Sequence, residues 1–360
     1  MSAFEKISIN VIGASHEESI GVEIEGLPKG ATIDMDALQA FVDRRKSGRY
    51  AFSTPRQEED KVEIVSGIVD GKIVGKVVAR IKNGNVRPED YSFDRVPRPS
   101  HADYVAKVKY GHAPSGGGRF SGRMTAATCI AGGIAEQILE KIGVDIAAYI
   151  SEIGGIECYT YDNGIPNYDL IKKCHNEEFP IPDLKKLPAV REKLYRIASD
   201  GDTAGGCVEC IVYHSPVGVG GPIYEGLEGK VAFSLFAIPA VKAVESGLGK
   251  GFASRTGLTA NDVFSVVDGK VVTTTDRAGG INGGITNGMP ITFRATFRPT
   301  PSVAAEQTTA DIETGEMVSL KIKGRHDVAF LPRAVVVVES AVALAYLDAA
   351  LLSGVVKSSD

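Results

Sequence analysis

The feature that most constrains this chain is an almost uninterrupted apolar run near its end, at residues 334–352. The run is long enough to span a bilayer as a helix, but Glu339 and Asp348 interrupt it, and an ionised carboxylate inside hydrocarbon is costly. It therefore predicts a helix that is buried in the protein or at an interface. The first ten residues show no basic segment followed by an apolar one, so we expect no signal peptide and a cytoplasmic protein.

Helices and strands are predicted in mixed order along the 360 residues. Helical spacing of apolar residues occurs at 35–48, 121–143, 183–201 and 334–352. Apolar, β-branched runs predict strands at 7–13, 62–69, 72–81, 207–213, 231–236, 263–267 and 290–298. This order favours α+β layering over a Rossmann sheet, and no G-x-G-x-x-G opens a helix near the start. We expect a single large domain over residues 1–354 and a disordered tail at 355–360.

Two segments, IVDGKIV at 68–74 and VVDGKVV at 266–272, resemble each other. Each places Asp-Gly between β-branched runs, which predicts a two-residue hairpin. The similarity is also weak support for a duplicated core.

The five cysteines do not suggest a disulfide framework, and an odd count fits a reducing compartment. Cys207 and Cys210 form a C-x-x-C, but no second pair lies at zinc-ribbon spacing. We therefore expect two buried thiols on a strand and no metal site.

Arginine, glycine and histidine concentrate in six short stretches: GASHEE, DRRKSGRYAFSTPRQ, PRPSHADY, KYGHAPSGGGRFSGRMT, RAGGINGGITNG with FRPTPS, and KGRHDVAF. Each has a simpler explanation, such as helix-dipole complementation by arginines, a structural histidine, or a plain turn. Together, glycine loops that admit a phosphate, forked arginine donors and neutral-pH proton carriers indicate a site for a small polyanion with proton-transfer chemistry. Composition alone does not specify the reaction.

These stretches, with IPAVK and DTAGGCVECIVYHSPVGVGGP, occur in an order that resembles the chorismate synthase family over about residues 5–350. The resemblance implies a β-α-β sandwich assembled as a homotetramer. It implies anti-1,4-elimination of phosphate from 5-enolpyruvylshikimate 3-phosphate, a small-molecule substrate, to give chorismate. It also implies a requirement for reduced FMN, with NADPH relevant only as a flavin reductant. Neither nucleic acid nor a membrane is expected as a partner.

The resemblance also implies roles for individual residues. His16 would protonate the leaving phosphate, His101 would donate a proton to or stabilise the anionic reduced flavin, and Asp327 would assist hydrogen removal at the flavin. Substrate binding would involve Ser15, Arg45, Arg49, Arg98, Ser121, Arg123 and Arg325. The FMN site would comprise Arg119, Phe120, Ser121, Ala240, Gly283, Arg298, Pro299, Thr300, Pro301, Ser302 and Arg325.

The chain departs from the family pattern in the substrate loops. Ala14 and Glu17 stand where glutamate and glycine are usual, and Ser100 replaces a glycine. The KYGHAPSGGGR stretch is one residue short and carries Ala-Pro in place of Arg-Asp, and Ala51 replaces an arginine whose place Arg49 could take. A divergent homologue that keeps FMN but has lost the elimination is therefore the alternative. An arginine-rich nucleic-acid binder is disfavoured by the net charge of −5 and by an aromatic content of 7%.

Overall fold

The computed structural model describes residues 4–48, 52–53, 59–84, 93–161, 165–322 and 327–357. Two antiparallel sheets carry the long strands. The first has the order β1-β2-β4-β3 and the second the order β6-β5-β7-β13-β8. The strands of the first sheet are β1 (Ser8–Gly13), β2 (Ser19–Glu25), β3 (Glu63–Val69) and β4 (Lys72–Lys82). Those of the second are β5 (Asp145–Ile153), β6 (Ile156–Glu157), β7 (Gly206–Tyr213), β8 (Val241–Ser246) and β13 (Ile291–Phe297).

Three short two-stranded hairpins lie outside these sheets. They pair β9 (Phe264–Val267) with β10 (Lys270–Thr273), β11 (Ile281–Asn282) with β12 (Ile285–Thr286), and β14 (Gln307–Ala310) with β15 (Met317–Leu320). The α-helices are α1 (Met35–Asp43), α2 (Asp103–Tyr110), α3 (Thr125–Glu140), α4 (Tyr168–Cys174), α5 (Leu187–Ser199), α6 (Leu227–Phe236), α7 (Gly257–Ala260) and α8 (Leu331–Leu352).

The core is a layer of helices between the two sheets. Helix α3 packs on β2 and β4 of the first sheet, α8 packs on β5 and β7 of the second, and the two helices pack on each other. A Cβ on Gly132 of α3 would lie 2.2 Å from the Cβ of Ser340 in α8, so glycine is what allows this close approach. This is the β-α-β arrangement that was expected, within one α+β domain.

Helix α8 is the one described helix that is long and apolar enough to cross a membrane, and 94% of its apolar window is buried inside the protein. Its two carboxylates have partners. The Oδ1 of Asp348 accepts from the backbone N–H of Ile7 at 3.0 Å, and its Oδ2 accepts from Lys230. Glu339 accepts from the Ala148 N–H and pairs with Arg44 at 2.6 Å. The prediction of a buried helix is confirmed.

The strand predicted at residues 231–236 is wrong, because this run forms the last turns of α6. Leu227, Val231 and Leu235 are buried at a spacing of four, whereas Phe233 and Phe236 are exposed. A six-residue apolar run fits a buried strand as well as a helix, and the helical spacing becomes visible only with Leu227 included. The predicted helix at 121–143 also starts later, since 3₁₀ turns precede α3.

Both Asp-Gly hairpins are confirmed. Val69 pairs with Lys72 and Val267 with Lys270, and each intervening Asp-Gly has positive φ at both residues, as a type I′ turn requires. The hairpins belong to different sheets, so they do not indicate a duplicated core. Cys207 and Cys210 lie on β7 as predicted, and both are buried thiols.

Candidate active site

The first histidine of the site lies on the loop after β1 and packs on the glycine turn before α3. The Oγ of buried Ser15 is 2.9 Å from the Nδ1 of His16. A Cβ on Gly116 would lie 1.7 Å from the Cε1 of His16, and Gly116 itself has φ +57°. Only glycine both adopts this backbone and leaves room for the imidazole. The glycine run predicted as part of the site therefore admits His16 directly.

The second histidine packs on the next residue of the same turn. A Cβ on Gly117 would lie 3.5 Å from the Cε1 of His101 and 3.7 Å from its Nε2. On the other side of the ring, Nδ1 is 2.7 Å from the Oδ1 of Asp103, whose side chain is 1% exposed. His16 and His101 are thus brought to adjacent residues of one turn, although 85 positions separate them in the sequence (101 − 16).

Asp103 also holds Arg98, through Nε at 2.7 Å and Nη2 at 2.8 Å. Burial alone would raise the pKa of Asp103, but the hydrogen bonds from Arg98 and His101 and their charges hold it well below its ordinary value. An ionised Asp103 can only accept, so its short contact favours a hydrogen on Nδ1 of His101, whereas Nη2 of Arg98, which can only donate, lies 3.0 Å from the same nitrogen and favours the other tautomer. The Nε2 atom, on the side of the glycine turn, is left to carry or accept a proton.

The loop after β13 is tied to the loop that carries His101. Nη1 of Arg98 donates to the Ser302 hydroxyl at 3.1 Å, and Nη1 of Arg298 donates to the Ser100 carbonyl at 2.7 Å. Ala240 contributes its carbonyl, which accepts from the Arg298 N–H at 3.0 Å. Four predicted residues (Arg98, Ala240, Arg298 and Ser302) therefore form one connected group.

A second buried cluster joins Arg45, at the end of α1, to Arg123, just before α3. The carboxylate of Asp60 accepts from Nη1 of Arg45 at 3.3 Å through Oδ2 and from Nη1 of Arg123 through Oδ1. Nε of Arg123 donates to Asn83 at 3.2 Å, and Nδ2 of Asn83 donates to the carbonyls of Ala14 and Glu17. This cluster is therefore connected to the loop that carries Ser15 and His16.

Asp327 forms an ion pair with Arg333 in the first turn of α8. Burial is the main cause that lowers the pKa of Arg45 to about 10, and the charges of Arg123 and Arg333 lower it further against the opposing effect of Asp60.

The remaining predicted residues are less directly connected. Nη2 of Arg119 donates to the Val11 carbonyl at 3.2 Å, Phe120 is exposed beside Tyr110, and the carbonyl of Thr300 accepts from Thr203 at 2.8 Å. Pro299 packs near Gly205, and the Ser121 hydroxyl accepts from the Arg123 N–H. Pro301 is half-buried at a bend in the same loop.

Gly283 lies in the turn between β11 and β12. Among the described residues this turn contacts residues 220–227, and no contact joins it to His16 or His101. Arg49 and Arg325 lie outside the described residues.

Asp60, Asn83 and Asp103 were not singled out from the sequence. Asp103 stands inside one of the quoted stretches, PRPSHADY, and Asp60 follows another, DRRKSGRYAFSTPRQ, by three residues, but nothing in the local pattern shows which cations they hold. Asn83 stood in none of the quoted stretches and carried no local signal.

Comparison with known proteins identifies related sequences. The family model described as chorismate synthase matches residues 7–351. A chorismate synthase of Dehalococcoides mccartyi is 40% identical over 353 residues, covering 97% of this chain and 96% of that protein. One of Thermococcus kodakarensis is 42% identical over 346 residues and 95% of each chain.

A crystal structure of a chorismate synthase superposes with a TM-score of 0.75 at 23% identity, covering 97% of this chain and 93% of the other, which supports the fold. The family model and the curated relatives extend over nearly the whole chain. The chain therefore belongs to the chorismate synthase family and is an enzyme of that type.

Proposed function

We propose that this enzyme eliminates phosphate from 5-enolpyruvylshikimate 3-phosphate in an anti-1,4 sense to form chorismate, the last common step of aromatic amino-acid biosynthesis. The observation that carries the proposal is the shared glycine turn. It places His16 against Gly116 and His101 against Gly117, between two groups of buried arginines.

The substrate carries a phosphate and two carboxylates, and the buried arginines suit such an anion. Arg45, Arg98 and Arg123 are planar cations whose charge suits carboxylate and phosphate oxygens, and hydrogen bonds to protein groups hold them in place. Their side chains are almost fully enclosed. Solvent therefore screens the attraction between these cations and a bound anion only weakly. Ser15 and Ser121 add hydroxyl donors at the edge of the glycine turn.

Two histidines supply the proton chemistry. Ser15 Oγ lies 2.9 Å from the Nδ1 of His16, and Nε2 of this ring is the atom proposed to protonate the oxygen of the departing phosphate. Asp103 occupies the Nδ1 of His101, so its Nε2 is the atom available to an anionic group on the other side of the turn. Asp327 contributes a carboxylate that would assist removal of the hydrogen.

The residues expected at the flavin fit FMN in chemical character. Arg119 and Arg298 offer guanidinium donors, Thr300 and Ser302 offer hydroxyls for a phosphate, and exposed Phe120 offers an apolar face. Bound reduced FMN would supply electron density that assists departure of the allylic phosphate. NADPH would serve only to reduce the flavin.

We also propose a cytoplasmic homotetramer. Ile223, Tyr224 and Leu258 are 87%, 91% and 95% exposed, and large apolar side chains at such exposure favour burial against other copies of the chain.

The test is an anaerobic assay with chemically reduced FMN, with and without NADPH, that follows chorismate and phosphate release. We expect both products with reduced FMN alone and neither with oxidised FMN. NADPH with oxidised FMN would yield chorismate only if the chain also reduces flavin. Absence of chorismate under reducing conditions would refute the proposal.

The alternative is a homologue that binds FMN without catalysing the elimination. It is favoured by Ser100, which has φ +59° at a position where the family resemblance has glycine, and whose carbonyl positions Arg298. Flavin binding without chorismate formation in the same assay would support it.

A further inference from the structure

A buried carboxylate bridges two of the proposed substrate arginines. Asp60 is 1% exposed, and its two oxygens accept from different guanidinium groups, one from Arg45 and one from Arg123. Its φ of +45° lies in the left-handed region, which aspartate and asparagine adopt more readily than most residues. The backbone therefore turns the carboxylate inward between the two cations.

The other bonds of the arginines are to neutral groups that reach in from different elements. Nε of Arg45 donates to the Thr125 hydroxyl at 2.9 Å and Nη2 donates to the Gly122 carbonyl at 3.0 Å. These contacts orient each side chain, but they do not offset the repulsion between two buried guanidinium groups. A carboxylate between them does, because opposite charges attract strongly where water is excluded.

Arg123 is also connected to the loop that carries His16. Its Nε bonds to Asn83, and Asn83 holds the carbonyls of Ala14 and Glu17, on either side of Ser15 and His16. Because Asn83 makes these two bonds itself, a change in the spacing of the guanidinium groups should affect substrate binding more than the position of His16.

We infer that Asp60 is a positioning residue, which holds Arg45 and Arg123 at a fixed spacing so that an anionic substrate meets a preformed pair of cations. This inference rests on the proposed function. Asp60 acts through the arginines, and its loss reduces binding of the ground state and the transition state equally.

The variant Asp60→Asn tests the inference because asparagine has the same shape and tolerates the same φ but lacks the charge. We expect KM for 5-enolpyruvylshikimate 3-phosphate to rise at least ~10-fold while kcat stays within about 3-fold. Stabilisation of the variant by inorganic phosphate, measured as the shift in Tm at constant ionic strength, should also be smaller than that of the wild type. An unchanged or lower KM overturns the inference.

The matched control is Glu209→Gln. Glu209 is also buried and pairs with Arg294, at 3.1 Å, but on the outer face of the second sheet. This control should lose stability while KM and the phosphate-induced shift stay at wild-type values. If both variants raise KM alike, a general loss of stability explains the effect and Asp60 has no specific role.

Should Asp60→Asn fail to fold, Asp60→Glu provides the second test. It keeps the charge and moves the carboxylate by one methylene, so positioning requires KM to rise at least ~3-fold, whereas a wild-type KM would contradict it.

The phosphate measurement separates the two proposals because it needs no turnover. A wild-type protein that forms no chorismate but is stabilised by phosphate, with that stabilisation reduced in Asp60→Asn, would refute the proposed function and retain the positioning role. If the wild type forms chorismate and Asp60→Asn has a wild-type KM, the proposed function is supported and the positioning role is refuted. A wild-type protein that phosphate does not stabilise also overturns the inference.

Discussion

Asp60 and Asp103 are both 1% exposed, and each holds two basic side chains of the candidate site. The partners of Asp60, Arg45 and Arg123, are both arginines. Asp103 holds Arg98 and His101, and the proposed function gives this histidine a role in proton transfer. The same arrangement of a buried carboxylate can therefore organise anion binding in one place and proton transfer in another, depending only on the second partner.

A third buried carboxylate shows what happens when no cation is present. Asp276 is also 1% exposed; its Oδ1 accepts from the Gly280 N–H at 2.7 Å, and its Oδ2 has no hydrogen-bond partner among the described residues. Burial raises its pKa to about 7, with a further contribution from Asp262, whereas the cations lower that of Asp103. The contrast indicates that the partners, and not burial, determine the charge state of these groups.

The largest effect on kcat is expected for the two histidines, and smaller effects for the carboxylates that hold the site together. We predict that His16→Ala or His101→Ala lowers kcat at least ~100-fold, the low end for loss of a general acid, because each ring lies on the glycine turn. The rate should be measured anaerobically with reduced FMN. His214→Asn, on the exposed loop after β7, is the control and should keep the wild-type rate. Near-wild-type rates for both alanine variants would exclude them from proton transfer.

A smaller effect is expected when only the orientation of His101 is lost. Asp103→Asn should lower kcat about 10-fold or more and change its pH profile, because an amide does not enforce the Nδ1–H form of the imidazole. This differs from the change in KM predicted for Asp60→Asn. The control is Asp145→Asn, on β5, which loses an ion pair of 2.7 Å with Lys172 of α4. It should leave the pH profile of kcat unchanged. A pure KM effect in Asp103→Asn would remove the distinction between the two clusters.

The lowered pKa of Asp103 also predicts how the stability of the protein depends on pH. The ionised Asp103 stabilises the folded state fully above its pKa in the unfolded chain, which is about 4, and this stabilisation is lost as the pH falls through its lower pKa in the folded state. Asp103→Asn should therefore cost stability at pH 7, and the difference from wild type should shrink below about pH 4. Denaturant unfolding across this range measures it.

The smallest effect, and one of opposite sign, concerns Asp276. The pKa of Asp276 is raised in the folded state, so the wild type loses stability as the pH rises from the ordinary aspartate pKa of 3.8 through about 7. Asp276→Asn should be more stable than wild type by roughly 2–4 kcal/mol at pH 9 and nearly equal to it at pH 4, since one pKa unit corresponds to about 1.4 kcal/mol. A variant that is less stable than wild type at pH 9 would show that this carboxylate has a cationic partner.

Local sequence predicted several elements well, and the reasons are local. The two Asp-Gly turns need only their own backbone preferences, and α5 shows its apolar face within a few turns. The run at 231–236 suits a strand as well as a helix because six residues, five of them apolar, do not show a period. Strand β5 is not predicted, because Asp145, two alanines and Glu152 interrupt the three isoleucines and the tyrosine that favour a strand, and the segment pairs with β7 in the fold.

The sequence by itself determined which side chains could do chemistry here, since the histidines, arginines and glycines stand in short, specific stretches. Only the tertiary structure decided which carboxylate holds which cation: Arg45, Asp60 and Arg123 come from three separate segments and meet only when the end of α1 packs beside the turns before α3. The physical reason is that charge pairing depends on distance and exclusion of water, and both arise from long-range packing that no local pattern encodes.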